Sequence, residues 1–276
     1  IGVKYVPLSD PDAFLGEGLD VIVFATSILS FESLLQSFAP SIQKDLDRRA
    51  EKGEVGHGPL VVDVLSVKEH ARQVMLDVLP QECDILCSHP MFGPDSGKDG
   101  WQSLNFVYEK TRIDKMVLLP AMSQMNNTEA FVDQAGRVHS VHEDSDAHVE
   151  GVDRMERFLS IWEEEGCRMV PMSCREHDTY AANSQFVTHL MGRILGSQGL
   201  EQTPIDTSGF QSVLNLVDIT TADSFDLFYG LYKYNQNSMA TIVQLRSAMD
   251  DVVQRLKSRE TEEQEKQDRQ LQNDQK

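Results

Sequence analysis

The stretch "CSHPMFGPDSGKDGW", residues 87–101, puts a histidine where an apolar run gives way to a loop of turn residues. The imidazole of His89 titrates near neutral pH and suits a general base. Pro90 lacks a donor and biases His89 toward an extended backbone, while Gly93, Pro94 and Gly97 let the following chain turn closely around a ligand. The plainer alternative is a histidine that only ends a strand and bonds a loop carbonyl.

A second group lies in "HDTYAANSQFVTHLMGRIL", where Gln185, His189 and Arg193 recur at spacings of four, on a different side from Tyr180, Val187, Met191 and Ile194. Amide, imidazole and guanidinium recognise carboxylates and hydroxyls, which points to a ligand site; an exposed polar face is the alternative. Hydroxyls complete the inventory: Thr26 and Ser27 after one apolar run, Ser66 after the next. His139, His142 and His148 stand beside Glu143, Asp144 and Asp146, yet a solvated acidic loop explains them better than a metal site.

These groups need elements to hold them. "GVKYV" reads as a short strand and "SDPDAF" as a short helix capped by Ser9 or Asp10. "LDVIVFATS", "LVVDVLS" and "CDILCSH" are apolar runs of strand length, typical of strands buried on both faces. Helices from about Ser30 to Ala50, and from Ser66 to near Pro80, separate them; Ser66 and Glu69 have the spacing of a capping box. "NFVYEKTR", "KMVLLPA" and "CRMVPMS" read as further strands, with a helix from roughly Glu150 to Glu165. This alternation implies an α/β fold with a mostly parallel sheet, in which ligands bind outside the carboxyl ends of the strands. Thr26, Ser27, Ser66 and His89 all fall at that edge.

Residues 123–150 read as an inserted surface loop or small hairpin. Ser173 and Glu176 form a second capping box, and from there to about Lys257 the pattern is helical almost throughout. The expected domains are therefore residues 1–172 and an all-helical 173–257, followed by a charged tail at 258–276 that frays or lacks order.

The totals exclude several classes. With 276 residues and 40% hydrophobic content the chain suits a folded, soluble protein. A net charge of −19 argues against nucleic acid or an anionic membrane as partner. Cys83, Cys87, Cys167 and Cys174 form no CxxC pair, so reduced thiols in a reducing compartment are expected, and no apolar run is long enough to span a bilayer. No G-x-G-x-x-G follows any strand, so the sheet reads as an N-terminally truncated Rossmann-type sheet, entered partway through.

"TSILS", "DVLSVKE", "CSHPMFGPDSGKDGW", "EHDTYAANSQFVTHLMGRIL" and "DSFDLFYGLYKYN", in this order, resemble the plant-type arogenate dehydrogenases of the prephenate/arogenate dehydrogenase family. The resemblance implies oxidative decarboxylation of L-arogenate to L-tyrosine with hydride transfer to NADP rather than NAD, in a plastid, by a homodimer joined through the helical part. It implies that His89 hydrogen-bonds the ring hydroxyl and accepts its proton, that Ser66 assists at the same oxygen, and that Thr26, Ser27 and Ser66 line the cofactor side. His189 would lie against the substrate near Gln185. Arg193 and Lys98 stand in for the arginine that binds the ring carboxylate in bacterial relatives. Asp223 would pair with the amino group of arogenate, or else cap the helix that follows it. Two alternatives stay open: a prephenate dehydrogenase giving 4-hydroxyphenylpyruvate, and a catalytically silent dimerisation or regulatory relative.

Overall fold

The computed structural model describes residues 2–53, 58–93, 96–113, 129–132, 138–141 and 146–274. In chain order the elements are α1 (Pro11–Leu15), β1 (Val21–Phe24), α2 (Phe31–Glu51), β2 (Leu60–Asp63), α3 (Glu69–Val78), β3 (Asp84–Pro90), β4 (Asn105–Arg112), β5 (Glu129–Val132), β6 (Val138–Val141), α4 (Asp146–Glu164), β7 (Arg168–Pro171), α5 (Cys174–Asn183), α6 (Gln185–Gly196), α7 (Ser208–Ala222), α8 (Phe225–Tyr234) and α9 (Ser238–Asp274). By internal packing the chain divides into two compact units, 1–181 with 223–235, and 182–222 with 236–276, so α8 and all but the last two residues of α5 group with the sheet although both helices lie beyond residue 172.

The first unit is α/β. Its sheet has the order β1-β2-β3-β4-β7, with β1, β2 and β3 parallel, β4 antiparallel to β3, and β7 parallel to β4. All four residues of β2 are buried, as expected for a strand covered on both faces. On the sheet's first strand packs α2, whose Phe31 and Phe38 meet Phe24 of β1 edge-on at centroid distances of 6.0 and 5.9 Å. One cover of β2 is α4, which brings Met155, Phe158 and Leu159 into one apolar cluster with Leu60, Val62, Leu86 and Phe106. Arg112, itself buried, ties β4 to the end of α3 by donating to the carbonyls of Pro80 at 2.6 Å and Cys83 at 2.9 Å.

The second unit is helical. Its α6 and α7 approach closely at Gly192, where an added Cβ would sit 2.0 Å from the Thr220 hydroxyl, so only glycine fits there.

Several expectations change. "GVKYV" forms no strand: Val3 and Tyr5 are 98% and 86% exposed, and no described strand pairs with them. The long helix through "HDTYAANSQFVTHLMGRIL" is two helices, α5 and α6, broken at Ser184, whose φ of −128° and ψ of −81° are not helical. Tyr180 therefore does not share a helix with Val187. The charged tail continues α9 to Asp274, supported by pairs such as Arg259–Glu263 and Arg269–Glu265 one turn apart. The short helix α1 is capped by Asp10, which accepts from the Ala13 N–H at 3.0 Å. In the insert, β5 and β6 form an antiparallel pair, and α4 begins at Asp146. The strand expected at 115–121, His142, and the side chains of His139 and His148 lie outside the described residues.

Candidate active site

Register places the site at one edge of the sheet. Phe24 aligns with Asp63, and Asp63 with Cys87, across three parallel strands. Thr26, Ser27 and Ser66 therefore follow the same carboxyl edge in loops, and His89, two residues beyond Cys87, stands at that edge within the last residues of β3, still paired with Val107 of β4.

At the end of β1 the hydroxyls form a cluster. Ser30 Oγ lies 2.9 Å from Thr26 Oγ1 and 2.7 Å from Ser27 Oγ, and the Ser30 N–H donates to Ser27 Oγ at 3.3 Å. This cluster opens α2, a helix of 21 residues, whose first-turn N–H groups have no intrahelical acceptor. Hydroxyls and helix N–H donors together suit the sugar and phosphate oxygens of a dinucleotide.

At the end of β2 lies a buried charge pair. Lys68 donates to the Asp63 carboxylate and to the Ser88 carbonyl, and Ser88 Oγ donates to the Asp63 carbonyl at 2.7 Å. Burial raises the Asp63 carboxyl above its ordinary value, and the Lys68 ammonium opposes that rise. The pair ties the strand end before His89 to the turn that carries Ser66. Ser66 itself is half-buried, and α3 does not begin on it: the helix starts at Glu69 with Lys68 as N-cap. Its cap is Asp178, whose two carboxylate oxygens accept the Lys68 and Glu69 N–H groups, each at 2.9 Å. The expected capping box of Ser66 and Glu69 is thus replaced by a carboxylate from α5, 109 residues from Glu69.

The end of β3 carries the histidine. His89 is 5% exposed, and its Nδ1 lies 2.9 Å from His177 Nε2. His177 Nδ1 lies 2.8 Å from Asp178 Oδ1. Burial first, then His177 and the Lys68 charge, hold the His89 imidazole well below the ordinary histidine value, so it is neutral at physiological pH. Asn235, which follows α8, donates to the Asp178 carbonyl at 2.7 Å, and Tyr234 stacks on His70 of α3 at 3.9 Å. A neutral imidazole with one nitrogen engaged and the other at a sheet edge can accept a proton.

The other expected residues are spread more widely. Lys98 is exposed in the loop after β3. Asp223 lies half-buried at the start of the segment before α8, but the cap of α8 is Ser224, whose Oγ accepts from the Leu227 N–H at 3.1 Å. Gln185, His189 and Arg193 lie on α6 in the second unit; His189 is 8% exposed while Ile194 is 46% exposed, so the polar stripe is not the exposed face. His177, Asp178 and Lys68 escaped sequence reasoning. His177 and Asp178 were visible only as the opening of a helix, and their meeting with His89 joins residues 88 apart.

The four cysteines are free and buried, as reduced structural thiols would be; burial pushes Cys83 up to about 12. Among the described residues, no three His, Cys, Asp or Glu side chains group to hold a metal, and no helix is long and apolar enough to cross a membrane.

Comparison with known proteins adds to this geometry. Residues 194–268 match the family described as TYRAAT1-like, C-terminal domain. The chain is 41% identical over 256 residues to arogenate dehydrogenase 2, chloroplastic, of Arabidopsis thaliana, covering 93% of this chain and 59% of that one. It is 42% identical over 252 residues to arogenate dehydrogenase 1, chloroplastic, of the same plant, covering 91% of this chain and 32% of that one. The chain thus spans about three-fifths of one relative's length and one-third of the other's. Among solved structures, the prephenate dehydrogenase of Aquifex aeolicus in complex with hydroxyphenyl propionate and NAD+ is similar with a TM-score of 0.57 at 14% identity, covering 94% of this chain and 75% of that one.

Proposed function

We propose for this chain, which belongs to the family of the plant arogenate dehydrogenases, the oxidative decarboxylation of L-arogenate to L-tyrosine. The observation that carries the reading is His89: a buried, neutral imidazole at the carboxyl edge of the sheet, with its Nδ1 engaged by His177. Its Nε2 accepts the proton of the ring hydroxyl as the ring carbon gives up hydride; carbon dioxide leaves from the ring, the electrons it releases make the ring an aromatic phenolate, and the proton held by the histidine returns to that oxygen to give the phenol. Ser66 binds the same oxygen, and the Lys68 contacts with Asp63 and Ser88 hold both residues on their strand ends. A buried site keeps water from competing for the proton.

Thr26, Ser27 and Ser30, with the start of α2, fit a nicotinamide dinucleotide and would hold it. That group supplies the hydride acceptor. The resemblance to plant-type enzymes favours NADP over NAD.

Gln185, His189, Arg193 and Lys98 are the proposed contacts for the substrate's carboxylates and hydroxyl, and Asp223 for the amino group of arogenate. Prephenate has a keto group in place of that amine, so a carboxylate there discriminates against it. A homodimer is supported by α9, whose Val243, Met249, Val252 and Leu256 are 54–67% exposed. The chloroplastic relatives support plastid residence.

The test is absorbance of reduced cofactor with NADP or NAD and either arogenate or prephenate. Turnover preferring arogenate and NADP is expected, and Asp223→Asn should move the preference toward prephenate. An unchanged substrate ratio removes Asp223 from specificity, a wild-type preference for prephenate makes the protein a prephenate dehydrogenase, and no turnover with either substrate refutes the proposal.

A further inference from the structure

The three groups Asp178, His177 and His89 form one directional chain, and its direction follows from what each atom can do. Asp178 is a carboxylate that already accepts two backbone N–H groups, so toward His177 it can only accept. His177 Nδ1 must then carry a proton. In a neutral His177 this leaves Nε2 as an acceptor, so the proton of the 2.9 Å contact sits on His89 Nδ1. The remaining nitrogen of His89, Nε2, is left with its lone pair.

We infer that His177 is a positioning residue that fixes His89 in the Nδ1-protonated form and then takes up the reaction's proton, with Asp178 as its counter-ion. The inference rests on the dehydrogenase reading. In the step itself, the O–H bond of the substrate hydroxyl breaks and a bond to His89 Nε2 forms. The His89 Nδ1–H bond then breaks, and that proton bonds to His177 Nε2. His89 ends neutral in its other tautomer, and His177 ends as an imidazolium whose Nδ1–H faces a carboxylate at 2.8 Å. No electrons are exchanged with the protein in this relay.

The charges around the pair favour this destination. Toward His89 face His177 and the Lys68 ammonium, with Asp63 beyond as the lysine's partner. Toward His177 face Asp178 and neutral His89, and Asp178 in turn accepts the N–H of Glu69, whose carboxyl is raised first by burial and then by the Asp178 charge. A positive charge on His89 meets a nearby cation, whereas the same charge on His177 meets an anion in direct contact.

The decisive experiment reads the wild-type protein: nitrogen NMR of the protein labelled with ¹⁵N-histidine, above neutral pH, with His89→Asn and His177→Gln spectra used only for assignment. The expected pattern is a protonated Nδ1 and an unprotonated Nε2 on both residues. A proton on Nε2 of either residue overturns the proposal. The kinetic counterpart is His177→Gln, for which kcat should fall on the order of 100-fold with KM nearly unchanged. The acid limb of its pH profile should move to lower pH, because the proton then has to stay on His89 beside Lys68; a lower kcat with an unmoved limb reduces His177 to a packing role and overturns the relay. An expected NMR pattern in a protein without dehydrogenase activity rejects the function and leaves the tautomer assignment standing. Activity with the other tautomer does the reverse.

Discussion

Helices α3 and α5 are both preceded by the same local signal, Ser-x-x-Glu, at Ser66/Glu69 and at Ser173/Glu176. At α5 the signal acts locally: Ser173 Oγ accepts the Glu176 N–H at 3.2 Å. At α3 it does not, because Asp178 occupies the capping position and the helix starts later, at Glu69. Ser66 is thereby released from capping and left in a turn at the sheet edge beside the buried Lys68. A carboxylate that serves as both helix cap and histidine partner couples the start of α3 to the orientation of His177. Where tertiary structure overrides a good local signal, the freed residue is one proposed to touch substrate.

Three experiments break or sharpen this contrast. The largest effect belongs to Asp178→Ala, which strips the acceptor from two N–H groups and from His177. A loss of about 2–4 kcal/mol in urea unfolding is expected; a loss below about 1 kcal/mol means α3 has another cap and the coupling is wrong.

Next is the pH dependence of stability. His89 has a depressed value in the folded protein, so unfolded chains take up its proton first as pH falls. Its contribution is complete above about pH 6.5 and is lost below that, at no more than about 1.4 kcal/mol per pH unit. The unfolding free energy of wild type should therefore fall relative to that of His89→Gln below this pH, narrowing or reversing any wild-type advantage, while their difference stays level above it. A level difference throughout contradicts the buried neutral imidazole.

The smallest effects are the most direct on the two serines. Ser173→Ala should cost about 1 kcal/mol, whereas Ser66→Ala should leave stability within about 0.5 kcal/mol. Equal losses restore the capping role of Ser66.

The same contrast shows how far the sequence could be read. Strands β1, β2 and β3 were legible because each is an uninterrupted apolar run bounded by turn residues, and their carboxyl ends located Thr26, Ser27, Ser66 and His89 without any structure. The break at Ser184 was not, since helical apolar spacing continues through it and neither glycine nor proline marks it. The helix α9 outlasted its apolar residues because paired charges one turn apart sustain it beyond Lys257. His177 and Asp178 were hidden for a different reason: their spacing to His89 and Lys68 exists only after the chain has folded back on itself.

The central claim is that His89 takes the proton of the substrate hydroxyl, and the most direct measurement is turnover of His89→Asn with arogenate and NADP. The account predicts a fall of about two to four orders of magnitude, with folding and dinucleotide affinity nearly intact. Near-normal turnover would contradict it and remove His89 from the chemistry.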